Sequence, residues 1–202
     1  MKLNFLYTVF FILSITAVNA QQRSEFPALK ENALKINLLS PAYGNLSVTY
    51  QHLINPVKSI NITVGYIDFD DYTRFDAGYK FRMQGFSIIP EYRTNFTGYG
   101  LNGTYAAPFL RYMNYQTTDT EILSNGTKKE ETGSIQSLGI GFVIGRQHII
   151  KNRVLFDYFI GPAYQVIIDN VGRGSSDYLP SISDRYLSGY SVRAGITIGL
   201  AY

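Results

Sequence analysis

The 202-residue chain contains no cysteine and no tryptophan, and its histidines are limited to His52 and His148. The lack of cysteine excludes disulfides, a lipid-attachment cysteine, a thiol nucleophile and a thiolate metal site. Neither histidine is grouped with serine and glutamate as a hydrolytic site requires. We therefore expect no enzyme activity, with no catalytic residue, no cofactor and no metal site.

Charge of one sign and long apolar runs are also scarce. The formal net charge is only +3, and no run of lysine and arginine occurs, so we expect no nucleic-acid partner. Beyond the N-terminal segment, no stretch of 18 apolar residues is present, which excludes a transmembrane helix.

The N-terminal segment predicts export. Lys2 precedes the apolar run FLYTVFFILSITAV, which leads to the small-residue sequence Val18-Asn19-Ala20. This order is typical of a cleaved signal peptide over residues 1–20, and the alternative of an uncleaved anchor is disfavoured because the run is short. Residues 21–33 are polar and are expected to form a periplasmic leader.

The remainder of the chain predicts strands almost throughout. The end of the chain, SVRAGITIGLAY, alternates apolar residues with small or polar ones, which indicates a strand with one apolar face. Similar patterns predict eight strands at residues 34–42, 45–54, 59–68, 84–96, 103–116, 134–147, 153–168 and 188–202. After the first connection, long and short connections alternate, as in outer-membrane barrels. We predict an all-β fold for residues 34–202, an eight-stranded antiparallel up-and-down transmembrane β-barrel.

The two faces of the strands differ in kind. One face is apolar and aromatic, and the other carries glycines together with charged residues. Glycines are not needed on a solvent face, but inside a narrow eight-stranded barrel they make room for long side chains. The apolar face is therefore expected to point outward into lipid. Pro90, Pro108 and Pro162 fall within these strands, and we expect each of them to occupy a bulge or to leave a partner carbonyl without a donor, with a slip of the faces by one residue as one outcome.

The charged residues predicted to point inward form the candidate site. They are Lys35, Glu91, Arg93, Arg111, Asp157 and Arg193. Buried charges have to be paired, so a structural salt-bridge network is the favoured interpretation, and a proton or ion path is the alternative. We expect Glu91, Arg111 and Arg193 in a middle layer, with the others nearer the periplasm. Four cations face two anions, so water or tyrosine hydroxyls are expected to contribute.

Several segments resemble a known family. The stretch LKINLLSPAYGNLSVTYQHLINPVKSINITVGY, followed by PEYR and APFLRYMNY, resembles the small outer-membrane β-barrel proteins of Bacteroidota, many of unassigned function. The architecture is more distantly similar to OmpX and the OmpA membrane domain. The terminal Tyr202 resembles the signal by which the outer-membrane assembly machinery recognises its clients. The resemblance implies a location and a fold but no reaction.

The expected function is therefore that of a monomeric outer-membrane barrel with a filled lumen. Its expected role is structural or surface-interactive, with lipid, lipopolysaccharide, the assembly machinery and an extracellular ligand of the long loops as partners. Two alternatives stay open. One is a narrow channel for small solutes, and the other is a soluble lipocalin-like carrier with its apolar face inside.

Overall fold

The computed structural model describes residues 30–71, 79–122, 128–171 and 188–202. The predicted signal peptide and residues 21–29 of the predicted leader lie outside the described residues. The same holds for residues 72–78, 123–127 and 172–187, which belong to the three predicted long connections. No helix among the described residues is long and apolar enough to cross a membrane.

Eight antiparallel strands form a closed barrel in which each strand pairs with the next and β8 pairs with β1. The predicted eight-stranded up-and-down barrel is confirmed. The strands are β1 (Asn32–Asn37), β2 (Asn45–Asn55), β3 (Lys58–Asp71), β4 (Tyr79–Asn95), β5 (Gly103–Ile122), β6 (Lys128–Ile150), β7 (Val154–Val171) and β8 (Gly189–Ala201).

The strands are tilted, as the register around the barrel requires. Ala33 pairs with Ala201 across the closing seam. Pairing followed the other way around the barrel reaches Ser191 of β8, ten residues from Ala201, through Gln51, Asn61, Glu91, Phe109, Gly141 and Ala163. An offset of this size in eight strands matches a tilt of about 35–45°. The tilt leaves an interior that side chains can fill.

The two predicted faces are confirmed. Large apolar side chains point outward and are exposed along every strand, whereas the buried polar and charged residues point inward. The exposed set includes Leu46, Ile62, Val64, Tyr66, Phe86, Ile88, Leu110, Leu138, Ile140, Ile144, Ile160 and Leu200. The buried polar set includes Lys35, Thr49, Gln51, Asn61, Glu91, Arg93, Asp157, Gln165 and Thr197.

The expected slip of the faces at the prolines is wrong. Pro90, Pro108 and Pro162 all lie on the exposed face, and the register is the same before and after each of them. Irregular pairing occurs elsewhere, after Leu53 in β2 and after Gln136 in β6. An outward proline loses one ladder donor without inserting a residue, so the alternation continues through it.

Several strand boundaries differ from those predicted. β5 and β6 continue as a paired ribbon through residues 117–122 and 128–133, which were expected to be loop. Both faces of this ribbon are polar, so it carries no apolar alternation, but its threonines favour an extended backbone. Conversely, β1 ends at Asn37, and a 3-10 turn follows at Ser40–Tyr43, where Pro41 cannot donate to a ladder.

Glycines on the inner face receive aromatic rings from neighbouring strands. A Cβ atom on Gly141 would overlap the ring of Phe109, and one on Gly145 would overlap the ring of Tyr105. On β8, a Cβ atom on Gly195 would overlap the ring of Phe159. The spacing of glycines in GIGFVIG therefore reflects the packing of rings across β6.

Gly195 and Ala194 provide a direct test of this packing, since they are adjacent but face opposite sides of β8. We expect Gly195→Leu to lower the free energy of unfolding by about 1–3 kcal/mol, because the added side chain overfills the interior. Ala194 is exposed, so Ala194→Leu should change stability little. Urea unfolding of both variants in detergent measures the difference, and equal losses would contradict the assigned faces.

Candidate functional site: the interior charge network

Asp157 forms the centre of the network at the short-turn end of the barrel. Its Oδ2 accepts hydrogen bonds from Arg93 Nη1 at 2.8 Å and from Lys35 Nζ at 3.1 Å. Its Oδ1 accepts from the hydroxyl of Tyr105 at 2.8 Å. The guanidinium of Arg93 also lies over the Tyr105 ring, 4.0 Å from its centroid. Two cations and one hydroxyl thus satisfy a carboxylate with no exposed surface.

Glu91 is the second centre of the network, and it links Arg93 to Arg193. Its Oε1 accepts from Arg93 Nε at 3.0 Å, from Arg93 Nη2 at 2.9 Å and from Asn61 Nδ2 at 2.8 Å. Its Oε2 forms an ion pair with Nη1 of Arg193. Arg93 therefore bridges Glu91 and Asp157, and five of the six predicted residues belong to one connected network.

Neutral amides complete the base of this network. Gln51 Oε1 accepts from Lys35 Nζ and from Gln147 Nε2, each at 2.9 Å. Gln147 Oε1 in turn accepts from Arg93 at 3.1 Å, and Gln51 Nε2 donates to Ser59 at 2.9 Å. The side-chain oxygen and nitrogen of both Gln51 and Gln147 thus take part in hydrogen bonds.

Sequence reasoning did not identify Gln147 or Tyr105 as members of the network. Tyr105 could have been identified from the sequence. It lies an even number of positions from Arg111 on β5, so the two side chains point to the same face. The expectation that tyrosine hydroxyls help to balance the charges fits the bond from Tyr105 to Asp157. The contact of Gln147 with Arg93 joins β6 to β4 across the lumen. The residue pattern of a single strand does not predict such a contact.

Arg111 lies outside the network, in contrast to the expected layer with Glu91. Its Nη1 donates to Gln165 Oε1 at 2.6 Å, and its guanidinium lies 5.5 Å from the centroid of the Phe109 ring. No carboxylate among the described side chains forms an ion pair with it. The reason is geometric, because Glu91 is already occupied by Arg93, Arg193 and Asn61.

Apolar clusters enclose the network above and below. At the short-turn end, Leu53, Leu101 and Leu155 pack with Ala33 and Ala201. On the other side, a cluster built around Tyr105, Phe109, Val143 and Phe159 fills the middle of the lumen. A third cluster, of Met113, Tyr115 and Ile135, lies further toward the long-connection end. The charges are therefore held in an enclosed layer.

A family model described as "Protein of unknown function (DUF3575)" matches residues 6–170. The chain belongs to the DUF3575 family. No curated protein matches it.

Solved structures with a similar fold share little sequence with this DUF3575 member. A major outer membrane protein from Thermus thermophilus aligns with a TM-score of 0.52 at 17% identity, covering 85% of this chain and 99% of that one. Acinetobacter baumannii CarO aligns with a TM-score of 0.49 at 10% identity, covering 89% and 100%. The N-terminal β-barrel domain of Pseudomonas aeruginosa OprF gives 0.32 at 10%, covering 86% and 98%. The Thermus structure supports the barrel fold of this chain.

The predicted assembly residue, Tyr202, lies at the closing seam of this DUF3575 barrel. Its backbone N–H donates to the carbonyl of Asn32 at 2.9 Å, and its carbonyl accepts from Asn32 N–H at 3.0 Å. The side chain of Asn32 accepts a hydrogen bond from the Tyr50 hydroxyl at 2.7 Å. The last residue thus contributes to closure of the barrel.

Glu91 is the residue whose replacement tests the network most directly. We expect Glu91→Gln to lower the free energy of unfolding by about 3–5 kcal/mol, because Arg93 and Arg193 lose a buried counter-charge. The control is Asp68→Asn, which weakens a partly exposed pair with Arg82 at 3.2 Å and should cost less than about 1 kcal/mol. Urea titration in detergent measures the free energy of unfolding of both variants. A loss for Glu91→Gln as small as that for Asp68→Asn would show that Glu91 does not stabilise the barrel.

Proposed function

We propose that this DUF3575 protein is a monomeric outer-membrane β-barrel with a filled lumen, exported through a cleaved signal peptide. Its role is structural or surface-interactive and is carried by the long extracellular connections. The observation that carries the proposal is the inverted arrangement of the two faces. Leu138, Ile140 and Ile144 are exposed on β6, whereas the charged side chains lie inside.

The outer face has the dimensions of a membrane-spanning band. From Tyr190 to Leu200, β8 spans ten residue steps, or about 33 Å along the strand. With a tilt of about 40°, this corresponds to about 25 Å along the barrel axis. Apolar bands of outer-membrane barrels have about this height. Closure also pairs Ala33–Asn37 of β1 with Thr197–Ala201 of β8, so this part of the wall has no open edge toward lipid.

Aromatic residues border this band at both ends. Toward the long connections, Phe86 packs on Tyr112 with ring centroids 6.1 Å apart, and Tyr164 packs on Tyr190 at 5.0 Å. Toward the short turns, Tyr158 packs on Phe156 and on His148. Tyrosine suits the boundary between hydrocarbon and water because its ring is apolar and its hydroxyl is polar.

The arrangement of the interior separates the proposal from its alternatives. A lipocalin-like carrier requires apolar residues around an internal ligand, but here the ion pairs of Glu91 and Asp157 occupy that position. A channel requires an open path, but Phe109, Phe159 and Val143 are packed in the lumen, and the charged side chains of the network are bonded to one another. A filled, non-conducting barrel accounts for both observations.

The partners in this proposal follow from the location. They are outer-membrane lipid, lipopolysaccharide at the outer surface, and the assembly machinery, which recognises the terminal aromatic Tyr202. An extracellular ligand of the long connections is included, since loops on a rigid scaffold commonly carry binding. Within this proposal, the resemblance of the NLLSP and APFLRY segments supports membership among the outer-membrane barrels of Bacteroidota.

Cell fractionation followed by gel electrophoresis with and without boiling tests the location. We expect the protein in the outer-membrane fraction, with faster migration of the unboiled sample because a closed barrel resists detergent. Removal of Tyr202 should shift part of the protein to the periplasmic fraction, whereas Tyr202→Phe keeps the aromatic ring and should behave as the wild type. A soluble protein without a boiling-dependent shift would contradict the proposal.

Planar-bilayer recording tests the filled lumen. We expect no stable unit current from the purified protein, because the aromatic cluster and the ion pairs block the path. A reproducible conductance step that scales with salt concentration would instead support the channel. A matched recording with a known porin confirms that insertion into the bilayer is detected.

A further inference from the structure

The interior carries an excess of positive charge. Among the described side chains that point inward, Lys35, Arg93, Arg111 and Arg193 are cationic, and only Glu91 and Asp157 are anionic. Both carboxylates are fully used by the other three cations. Arg111 is therefore the cation for which the described interior supplies no counter-charge, and an uncompensated buried ion is costly.

The surroundings of Arg111 are polar and only partly satisfied. Its Nε is buried and donates to no group, and the hydroxyl oxygens of Ser137 and Ser191 are likewise buried without a partner. Register places these groups together. Arg111 is opposite Gly139, which is opposite Gln165, and Ser191 is opposite Ala163, two residues from Gln165. Because Gly139 has no side chain, Gln165 can reach Arg111 across β6.

Arg193 provides a second guanidinium at the same level. Its Cζ lies 4.6 Å from the centroid of the Phe109 ring, and Arg111 lies 5.5 Å from the same centroid. Phe159 contacts Arg193 from the other side at 4.7 Å. Two like charges on one aromatic ring repel each other, and a shared anion would relieve that repulsion.

The barrel wall is lower beside Arg193, across the lumen from Arg111. β1 ends at Asn37, opposite Thr197, so residues Gly189–Gly195 of β8 pair with β7 alone among the described strands. On the other side of this notch, Asn45–Ser47 of β2 pair only with β3. The notch lies beside Arg193 and Ser191, and the connection between β1 and β2 runs along it, since Leu38 N–H donates to the carbonyl of Ile196 at 2.7 Å. The rings of Phe109 and Phe159 both contact Arg193.

We propose that Arg111 and Arg193 form an anion-binding cup inside the barrel, bordered by Phe109 and Phe159 on one side and by the cluster of Met113, Tyr115 and Ile135 toward the long connections. The cup takes a single carboxylate or phosphate group, which guanidinium groups bind through paired charge-assisted hydrogen bonds. The hydroxyls of Ser137 and Ser191 donate to the same anion. The cup requires a folded barrel but not a particular membrane, so its failure is separate from a failure of the proposed location.

The test is titration of the folded protein, in nonionic detergent at constant ionic strength, with inorganic phosphate. We expect a saturable rise in the temperature at which the fast-migrating unboiled band is lost, with heat of binding confirmed by calorimetry. Arg111→Gln should weaken the apparent affinity by about tenfold or more, as the loss of a charged hydrogen-bond donor implies. Arg146→Gln, an exposed residue on the outer face, is the matched control and should bind as the wild type does.

A second arm replaces phosphate with mixed micelles containing phosphatidylglycerol or, as reference, phosphatidylcholine. Stabilisation by free phosphate indicates a soluble anion, and stabilisation by phosphatidylglycerol alone indicates a lipid headgroup; both support the cup. The absence of a saturable effect in both arms overturns it, as does an equal effect on Arg111→Gln.

Two measurements separate a binding role of Arg111 from a structural one. Without anion, Arg111→Gln should be at least as stable as the wild type, because it removes an uncompensated charge, whereas a structural arginine would lower stability when replaced. Arg111→Lys keeps the charge and should retain weaker binding if the glutamine variant does not fold. Loss of stability in both variants without anion would overturn the assignment.

Discussion

The need to pair two buried carboxylates organises the interior of this barrel. Asp157 and Glu91 have no exposed side-chain surface, and each lies where several strands converge. Arg93 joins them, so that β4 and β7 are tied across the lumen. A buried ion pair adds little stability relative to apolar packing of equal volume, but removal of one partner is costly. The main effect of the network is therefore to lower the free energy of the observed strand register relative to registers shifted by one or two residues.

Register matters more here than in an open sheet because the barrel closes on itself. A shift by one residue between two strands would place apolar side chains inside and charges in lipid. The two pairings of β1 are the shortest in the barrel, since β1 has six residues, and it is from β1 that Lys35 reaches Asp157 and Gln51. The ion pair thus reinforces the part of the ladder with the fewest backbone hydrogen bonds.

The fold and the direction of each side chain were predictable from the sequence, because a period of two survives even through Pro90, Pro108 and Pro162. The partners across the lumen were not. They depend on the ten-residue offset around the barrel, which no single strand reveals, and so the contact of Gln147 with Arg93 and the isolation of Arg111 from Glu91 could not be foreseen. The ribbon at residues 117–122 and 128–133 was missed for a different reason, since its sequence is almost entirely polar and leaves no apolar periodicity.

The distribution of charge along the lumen also distinguishes its two ends. At the short-turn end, Lys35, Arg93 and Asp157 are paired with one another and contact Gln51 and Gln147. The apolar cluster of Leu53, Leu101 and Leu155 encloses them on the side of the short turns. At the long-connection end, the hydrogen-bond partner of Arg111 among the described side chains is the neutral Gln165. A buried cation without a counter-charge lowers the stability of the fold, so its presence indicates a requirement other than stability. The paired charges thus stiffen the base of the barrel, and anion binding is proposed for the part of the described interior in which Arg111 has no carboxylate partner.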